Sequence, residues 1–253
     1  MVALRSRRII GTGTPESVWA GWPGFAQMSA IEAVALVPPG RRALVVAPHP
    51  DDEVLGIGGL LAQLVSSESE ILIIALTDGE ASHPGSARWP PLLLAEQRAM
   101  ERSRALRKLG VETATVIRAK HRDGALRAQE NEIVALLSRY IVSNDVVFVP
   151  WRSDGHPDHE AAGRAAVHRA FMCGAKLVEI PIWMWHWAAP EDGRVPWSRA
   201  RRVFLDPALH ARKQSAVAAF SSQIEADPST GRGPVLPATA LARLLRPFEV
   251  VFV

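Results

Sequence analysis

The sequence holds a single cysteine, Cys173. One thiol excludes an intrachain disulfide and any cysteine-built metal cluster, and it suits a reducing compartment. No apolar stretch approaches the roughly 18 residues of a membrane span, and the positively charged start, MVALRSRRIIGTGTPESVWAGW, lacks the apolar run of roughly 7–15 residues that marks a secretory signal. A cytoplasmic protein with no integral membrane segment is the expectation. Long runs of one charge sign are missing too. The 29 Lys and Arg against 26 Asp and Glu leave a net charge of +3, with no basic patch interleaved with aromatics, so nucleic acid is not an expected partner. There is no Gly-x-Ser-x-Gly elbow and no cysteine in a reactive setting, so nothing points to a covalent nucleophile. What remains is ordinary for a globular chain: 253 residues, 48% of them hydrophobic, enough for one α/β domain.

Residues 1–40 read as an irregular N-terminal extension packed on a domain that occupies 41–253. From there an alternation begins. RALVVAP (42–48), EILIIALT (70–77), TATVIR (113–118), DVVFVP (145–150) and KLVEIP (176–181) read as strands. Helices are expected over 52–66, 91–109 with Gly110 closing it, 128–142 and 158–173. Continuous apolar strands between amphipathic helices give an α/β fold, a mostly parallel Rossmann-like sheet with helices on both faces. Beyond it, RRVFLD (201–206) and FEVVFV (248–253) read as further strands and 207–223 as one helix started by Asp206 and Pro207.

The chemistry gathers at strand ends, where open parallel sheets collect their ligands. PHPDDE (48–53) follows the first strand, and the fourth ends in VFVPWRSDGHPDHEAAG (147–163). Each presents a His-Pro-Asp. Imidazole and carboxylate together suit Zn²⁺, which needs three protein ligands when one position is kept for water. Acids after a strand also cap helices, and either cluster alone would fit that reading. Two such clusters at two ends of one sheet are hard to assign to capping. The glycines of GIGG (56–59) fall inside the expected helix rather than at its start, which suits close packing on the sheet better than a nucleotide loop.

PHPDDE with HPDH (156–159) resembles the PIG-L or LmbE-like family of zinc-dependent de-N-acetylases, which act on N-acetylglucosamine-type sugars. LTDGE (76–80), RAMERSRALRKLGV (98–111) and KQSAVAAFSSQ (213–223) extend the similarity from about residue 42 to the end. The resemblance implies an LmbE-like three-layer sandwich and a zinc ion, or another divalent metal, held by His49, Asp52 and His159. It implies Asp51 as the general base that activates the zinc-bound water, and His156 as the group that stabilises the oxyanion or protonates the leaving amine, with Asp158 orienting it. Adjacent residues such as Asp51 and Asp52 cannot point the same way, which agrees with one ligand and one base. Arg88 and Trp185 are the expected substrate contacts. Trp183, Trp185 and Trp187 alternate at strand spacing and would share one face, against a sugar or in a core. The expected partner is a small amino sugar or glycoconjugate, with homo-oligomerisation left open. The alternative is a catalytically inactive, metal-containing sugar-binding protein of the same fold.

Overall fold

The computed structural model of the chain describes residues 7–253, so the first six residues of the expected N-terminal extension lie outside it. Among the described residues seven strands form one sheet: β1 (Arg42–Ala47), β2 (Ile71–Ala75), β3 (Thr115–Arg118), β4 (Asp145–Pro150), β5 (Lys176–Ile180), β6 (Ala200–Phe204) and β7 (Phe248–Phe252). The spatial order is β3-β2-β1-β4-β5-β7-β6. The first five strands pair in parallel, while β7 runs antiparallel to both β5 and β6. Alternation along β1 divides it between two cores: Ala43, Val45 and Ala47 face one apolar cluster, Leu44 and Val46 the other. Helices therefore cover both faces: α1 (Asp52–Ser66), α2 (Pro91–Leu109), α3 (Glu130–Leu137), α4 (Pro157–Cys173), α5 (Pro207–Val217) and α6 (Ala238–Leu244). No helix among the described residues is long and apolar enough to cross a membrane.

The chain lays down β1, β2 and β3 outward, then returns to place β4 against the free side of β1. Between the carboxyl ends of β1 and β4 the connections leave in opposite directions and open a crevice. Both His-Pro-Asp segments are delivered there.

Helix α1 follows directly on the first of them and is broken at Ile57 (φ −140°, ψ 24°). Its second half restarts under an acid from elsewhere: the Glu249 carboxylate accepts Gly59 N–H at 2.7 Å and Leu60 N–H at 2.8 Å. Lys213, fully buried, donates to Glu249 at 2.7 Å and to the Leu55 carbonyl at 2.9 Å, so one ion pair closes both sides of the break. The glycines here are packing residues, as expected. A Cβ on Gly56 would lie 2.6 Å from Ile180 Cγ2, and one on Gly59 would overlap Leu205.

The described residues before β1 include three short helices, Glu16–Ala20, Gly24–Gln27 and Ala33–Leu36. Trp19 meets Trp185 edge to face at 5.0 Å, and its indole N–H donates to the Trp185 carbonyl. Ser29 and Ile31 bond the backbone of Arg202 and so cover the edge of β6.

Two expected helices differ. The one placed over 128–142 is a 3₁₀ turn, Leu126–Gln129, followed by the shorter α3, because Asp158 accepts the Leu126 N–H at 3.0 Å and pins that turn. The one placed over 207–223 stops at Val217, and a separate turn, Ser221–Ile224, begins where Glu101 accepts Ser222 N–H at 2.8 Å.

Candidate active site

His49, Asp51 and Asp52 follow β1, and Asp154, His156, Asp158 and His159 follow β4. The turn after β1 is fixed locally: Asp52 Oδ2 accepts the His49 N–H at 2.9 Å, and Thr77 Oγ1 donates to the Pro48 carbonyl at 2.8 Å. Asp52 then meets a ring with each oxygen, Oδ2 with His49 Nδ1 at 3.2 Å and Oδ1 with His159 Nε2 at 3.2 Å. The two ring nitrogens are 3.3 Å apart. Ligand atoms around a tetrahedral zinc with bonds of about 2.0–2.1 Å stand about 3.3 Å apart along each edge. Two imidazoles and a carboxylate are a donor set that suits a small divalent cation, with Asp52 reaching the two rings through different oxygens. His156 also brings a ring nitrogen within 4.8 Å of donors on His49 and His159, and His49, Asp123 and Asp158 form a second such group. In that second group His49 Nε2 stands 3.3 Å from Asp123 and 3.4 Å from Asp158, so both sides of the His49 ring face acids at comparable distances.

Burial opposes charge on His49, yet Asp123, Asp158 and Asp52 together draw its pKa well above the usual imidazole range. His159 is likewise pushed up to about 9, burial being outweighed by Asp52 and Asp154. Asp52 falls well below the ordinary carboxylate value because His159 and His49 overcome its burial. Acids that crowd protons onto two rings would hold a divalent cation in their place.

Both rings are braced from behind. His159 Nδ1 contacts Asp154 Oδ2 at 2.8 Å, and His49 Nε2 faces Asp123 at 3.3 Å and Asp158 at 3.4 Å. Such carboxylates behind histidines orient them as ligands. Asp51 is placed differently: its Oδ2 accepts from Arg98 Nη2 at 3.0 Å. Its pKa is raised to about 7, by burial first and by Asp52 and Glu53, against the pull of Arg98 and His49. Arg98 also donates to the Gly79 carbonyl at 3.0 Å and the Pro50 carbonyl at 3.2 Å. Gly79 has a left-handed φ of 70°, and a Cβ there would collide with the guanidinium, which accounts for the glycine of LTDGE.

His156 is pushed down to about 3, by burial and then by the charges on His159 and His49. Its Nδ1 accepts the Asp158 backbone N–H at 3.2 Å, which assigns the ring's proton to Nε2. The expected orienting of His156 by Asp158 runs through the main chain only. The Asp158 carboxylate instead accepts Gly124 N–H at 2.8 Å and Leu126 N–H at 3.0 Å and faces His49.

A cavity of about 230 Å³ opens over these groups, with His49, Asp51, Asp52 and His156 in its wall. Ser82, Asp123 and Gln223 add polar atoms to the lining, while Leu55, Ile182, Trp183 and Leu236 add apolar surface. The two expected substrate contacts are elsewhere. Trp185 is buried between Trp19, Phe25 and the Arg246 guanidinium, which lies 4.4 Å above its ring. The strand spacing of the tryptophans misleads because Met184–Trp187 is a helical turn, which sends Trp183 to the cavity and Trp185 to the core. Arg88 lies on the surface, 3.4 Å from Glu225, with its guanidinium over Trp89. Sequence reasoning missed Asp123, Asp154 and Gln223. Asp123 carried a signal, as an acid in the loop after a strand of the same sheet, and Gln223 ends the KQSAVAAFSSQ segment that shares in the family resemblance, whereas Asp154 carried none apart from its neighbours.

A model of the PIG-L family, described as GlcNAc-PI de-N-acetylase, matches residues 44–170, half of the chain. The 1D-myo-inositol 2-acetamido-2-deoxy-alpha-D-glucopyranoside deacetylase of Mycobacteroides abscessus is 32% identical, over 54% of this chain and 59% of its own length. Diacetylchitobiose deacetylase of Thermococcus kodakarensis is 29% identical, over 53% and 51%. The chain spans between about half and two thirds of the length of these and most of the other curated relatives it matches. Among solved structures, a conserved protein of Thermus thermophilus superposes with a TM-score of 0.52 at 29% identity, covering 73% of this chain and 80% of that one. By its motifs, its sheet and the family match, the chain belongs to the PIG-L (GlcNAc-PI de-N-acetylase) family.

Proposed function

We propose that the chain is a metal-dependent hydrolase that removes an N-acyl group, acetyl in the first instance, from an N-acetylglucosamine-type sugar or glycoconjugate. The observation that carries this reading is the set of 3.2–3.3 Å contacts that joins His49, Asp52 and His159, with His49 and Asp52 beside the buried Asp51 in the wall of a cavity. The relatives named as deacetylases of acetamido sugars support the substrate class. A zinc ion, or another divalent metal, at His49, Asp52 and His159 would polarise the acyl carbonyl and lower the pKa of water towards about 7.

Asp51 takes the proton of the attacking water. Arg98 fixes it through Oδ2, so Oδ1 receives the proton while the water oxygen adds to the acyl carbon. A carboxyl whose pKa lies near neutral can also give that proton back, to the amine nitrogen as the C–N bond breaks, leaving free acid and free amine. His156, neutral and protonated on Nε2, donates to the oxygen on which negative charge gathers. With its pKa so depressed it is a poor source of a proton for the amine, which favours the first of its two expected roles. Trp183 and Leu236 shelter the reacting groups on the apolar side, and Ser82 and Gln223 offer hydrogen bonds to sugar hydroxyls. The single cysteine suits a cytoplasmic setting.

Incubation of the zinc-loaded protein with N-acetylglucosamine and a panel of its glycosides, read as released acid and new primary amine, tests the reading. Turnover is expected, with Asp51→Asn slower by about 10²–10⁴-fold. Zinc binding without release from any N-acylated sugar would support the inactive sugar-binding protein instead, against which Asp51 and His156 in one cavity argue.

A further inference from the structure

Asp154 is fully buried and all of its acceptor capacity is used. Oδ1 accepts Ile182 N–H and Met184 N–H, each at 2.9 Å; Oδ2 accepts Trp183 N–H at 2.9 Å and meets His159 Nδ1 at 2.8 Å. Its backbone carbonyl accepts the Trp187 indole N–H at 2.7 Å. One carboxylate thus caps the turn that carries Trp183 and holds the ring of a candidate ligand. Three consecutive backbone donors leave only acceptor lone pairs for the imidazole, so Nδ1 must be the protonated nitrogen.

We propose that Asp154 is a positioning residue: it fixes His159 with its proton on Nδ1 and Nε2 free for a cation, and it ties that ligand to the Ile182–Met184 turn that brings Trp183 into the cavity. The inference rests on the metal-site reading above. An asparagine in its place is isosteric but not equivalent. Its carbonyl can keep Ile182 and Met184, but its NH₂ then faces the Trp183 N–H and His159 Nδ1. Two donors cannot pair, and an amide N–H aimed at Nδ1 moves the ring proton to Nε2, where the cation would bind.

The test is zinc titration of the full chain, wild type against Asp154→Asn, with His49→Ala as control, alongside ¹H–¹⁵N imidazole spectra of the zinc-loaded proteins. Asp154→Asn is expected to weaken zinc binding by about 10–100-fold, to lose the His159 Nδ1–H signal, and to speed amide exchange at Ile182–Met184. A folded Asp154→Asn with wild-type zinc affinity and an unchanged His159 spectrum overturns the proposal. If His49→Ala also binds zinc as the wild type does, the metal site itself is wrong. Should Asp154→Asn fail to fold, the wild type decides: a zinc-loaded His159 with its proton on Nδ1 supports the proposal, and a proton on Nε2 overturns it.

Discussion

Arg98 and Asp51, 47 positions apart in sequence, form a buried ion pair at 3.0 Å in which the cation comes from α2 and the acid from the turn after β1. Arg98 is thus part of what sets the proton affinity of the proposed base, pulling it down against burial and two neighbouring acids. Arg98→Gln removes that pull. The Asp51 pKa rises, the base is ionised only at higher pH, and the acid limb of kcat/KM against pH moves upward. The lost anchoring lowers kcat/KM by about 10–100-fold as well. An acid limb that stays where it was would separate Arg98 from Asp51's titration.

The two tryptophans on either side of Met184 differ in what they do. Trp185→Ala empties a core site between Trp19, Phe25 and Arg246 and is expected to cost about 3–5 kcal/mol in denaturant unfolding. Trp183→Ala removes a cavity wall instead, so it raises KM for sugar substrates with a smaller loss of stability. Equal stability losses with no change in KM would return Trp183 to the core.

Lys213 and Glu249 make a buried pair whose acid caps the restart of α1. Removing only the cation leaves that carboxylate uncompensated. Lys213→Met is expected to lose about 3–5 kcal/mol in chemical unfolding; a loss below about 1 kcal/mol, the range of a surface pair, would mean that the charge finds water.

The sheet and its crevice were legible in the sequence because their signals are local. Strand β4 coincides with its apolar run, and α2 has its ends marked by Pro91 and Gly110, whose φ of 70° closes the helix. Paired His-Pro-Asp motifs pointed to the site because the switch point brings the ends of β1 and β4 together. The helix boundaries missed or misread share one cause, an acid capping a helix from elsewhere in the chain. Glu101 starts the turn at Ser221, Asp154 starts the one at Met184, and Glu249 restarts α1 after Ile57. None of these pairings leaves a periodic trace. Alternating tryptophans look the same before a short helix as along a strand.

Glu179 gives a prediction for stability against pH. Buried at the end of β5, it is paired with Arg152 at 2.8 Å and Arg199 at 3.1 Å, which hold its pKa below the usual glutamate range in spite of its burial. Because the folded value is the lower one, the pair contributes fully above the unfolded glutamate value of about 4.3, and that contribution is lost as pH falls through the folded value. Glu179→Gln should therefore be less stable than wild type at pH 7, with the difference shrinking as the medium becomes more acidic than about pH 4. Parallel stability curves for the two proteins would contradict this.

The most direct test of the account is to titrate zinc into the chelated protein while following acid release from a turned-over N-acetylglucosamine glycoside. Release should be absent without metal and should rise to a plateau at about one ion per chain, as one three-ligand site requires, with His49→Ala and His159→Ala failing to reach it. Turnover that survives chelation, or that is indifferent to both histidines, would contradict the assignment of His49, Asp52 and His159 as the centre of the reaction.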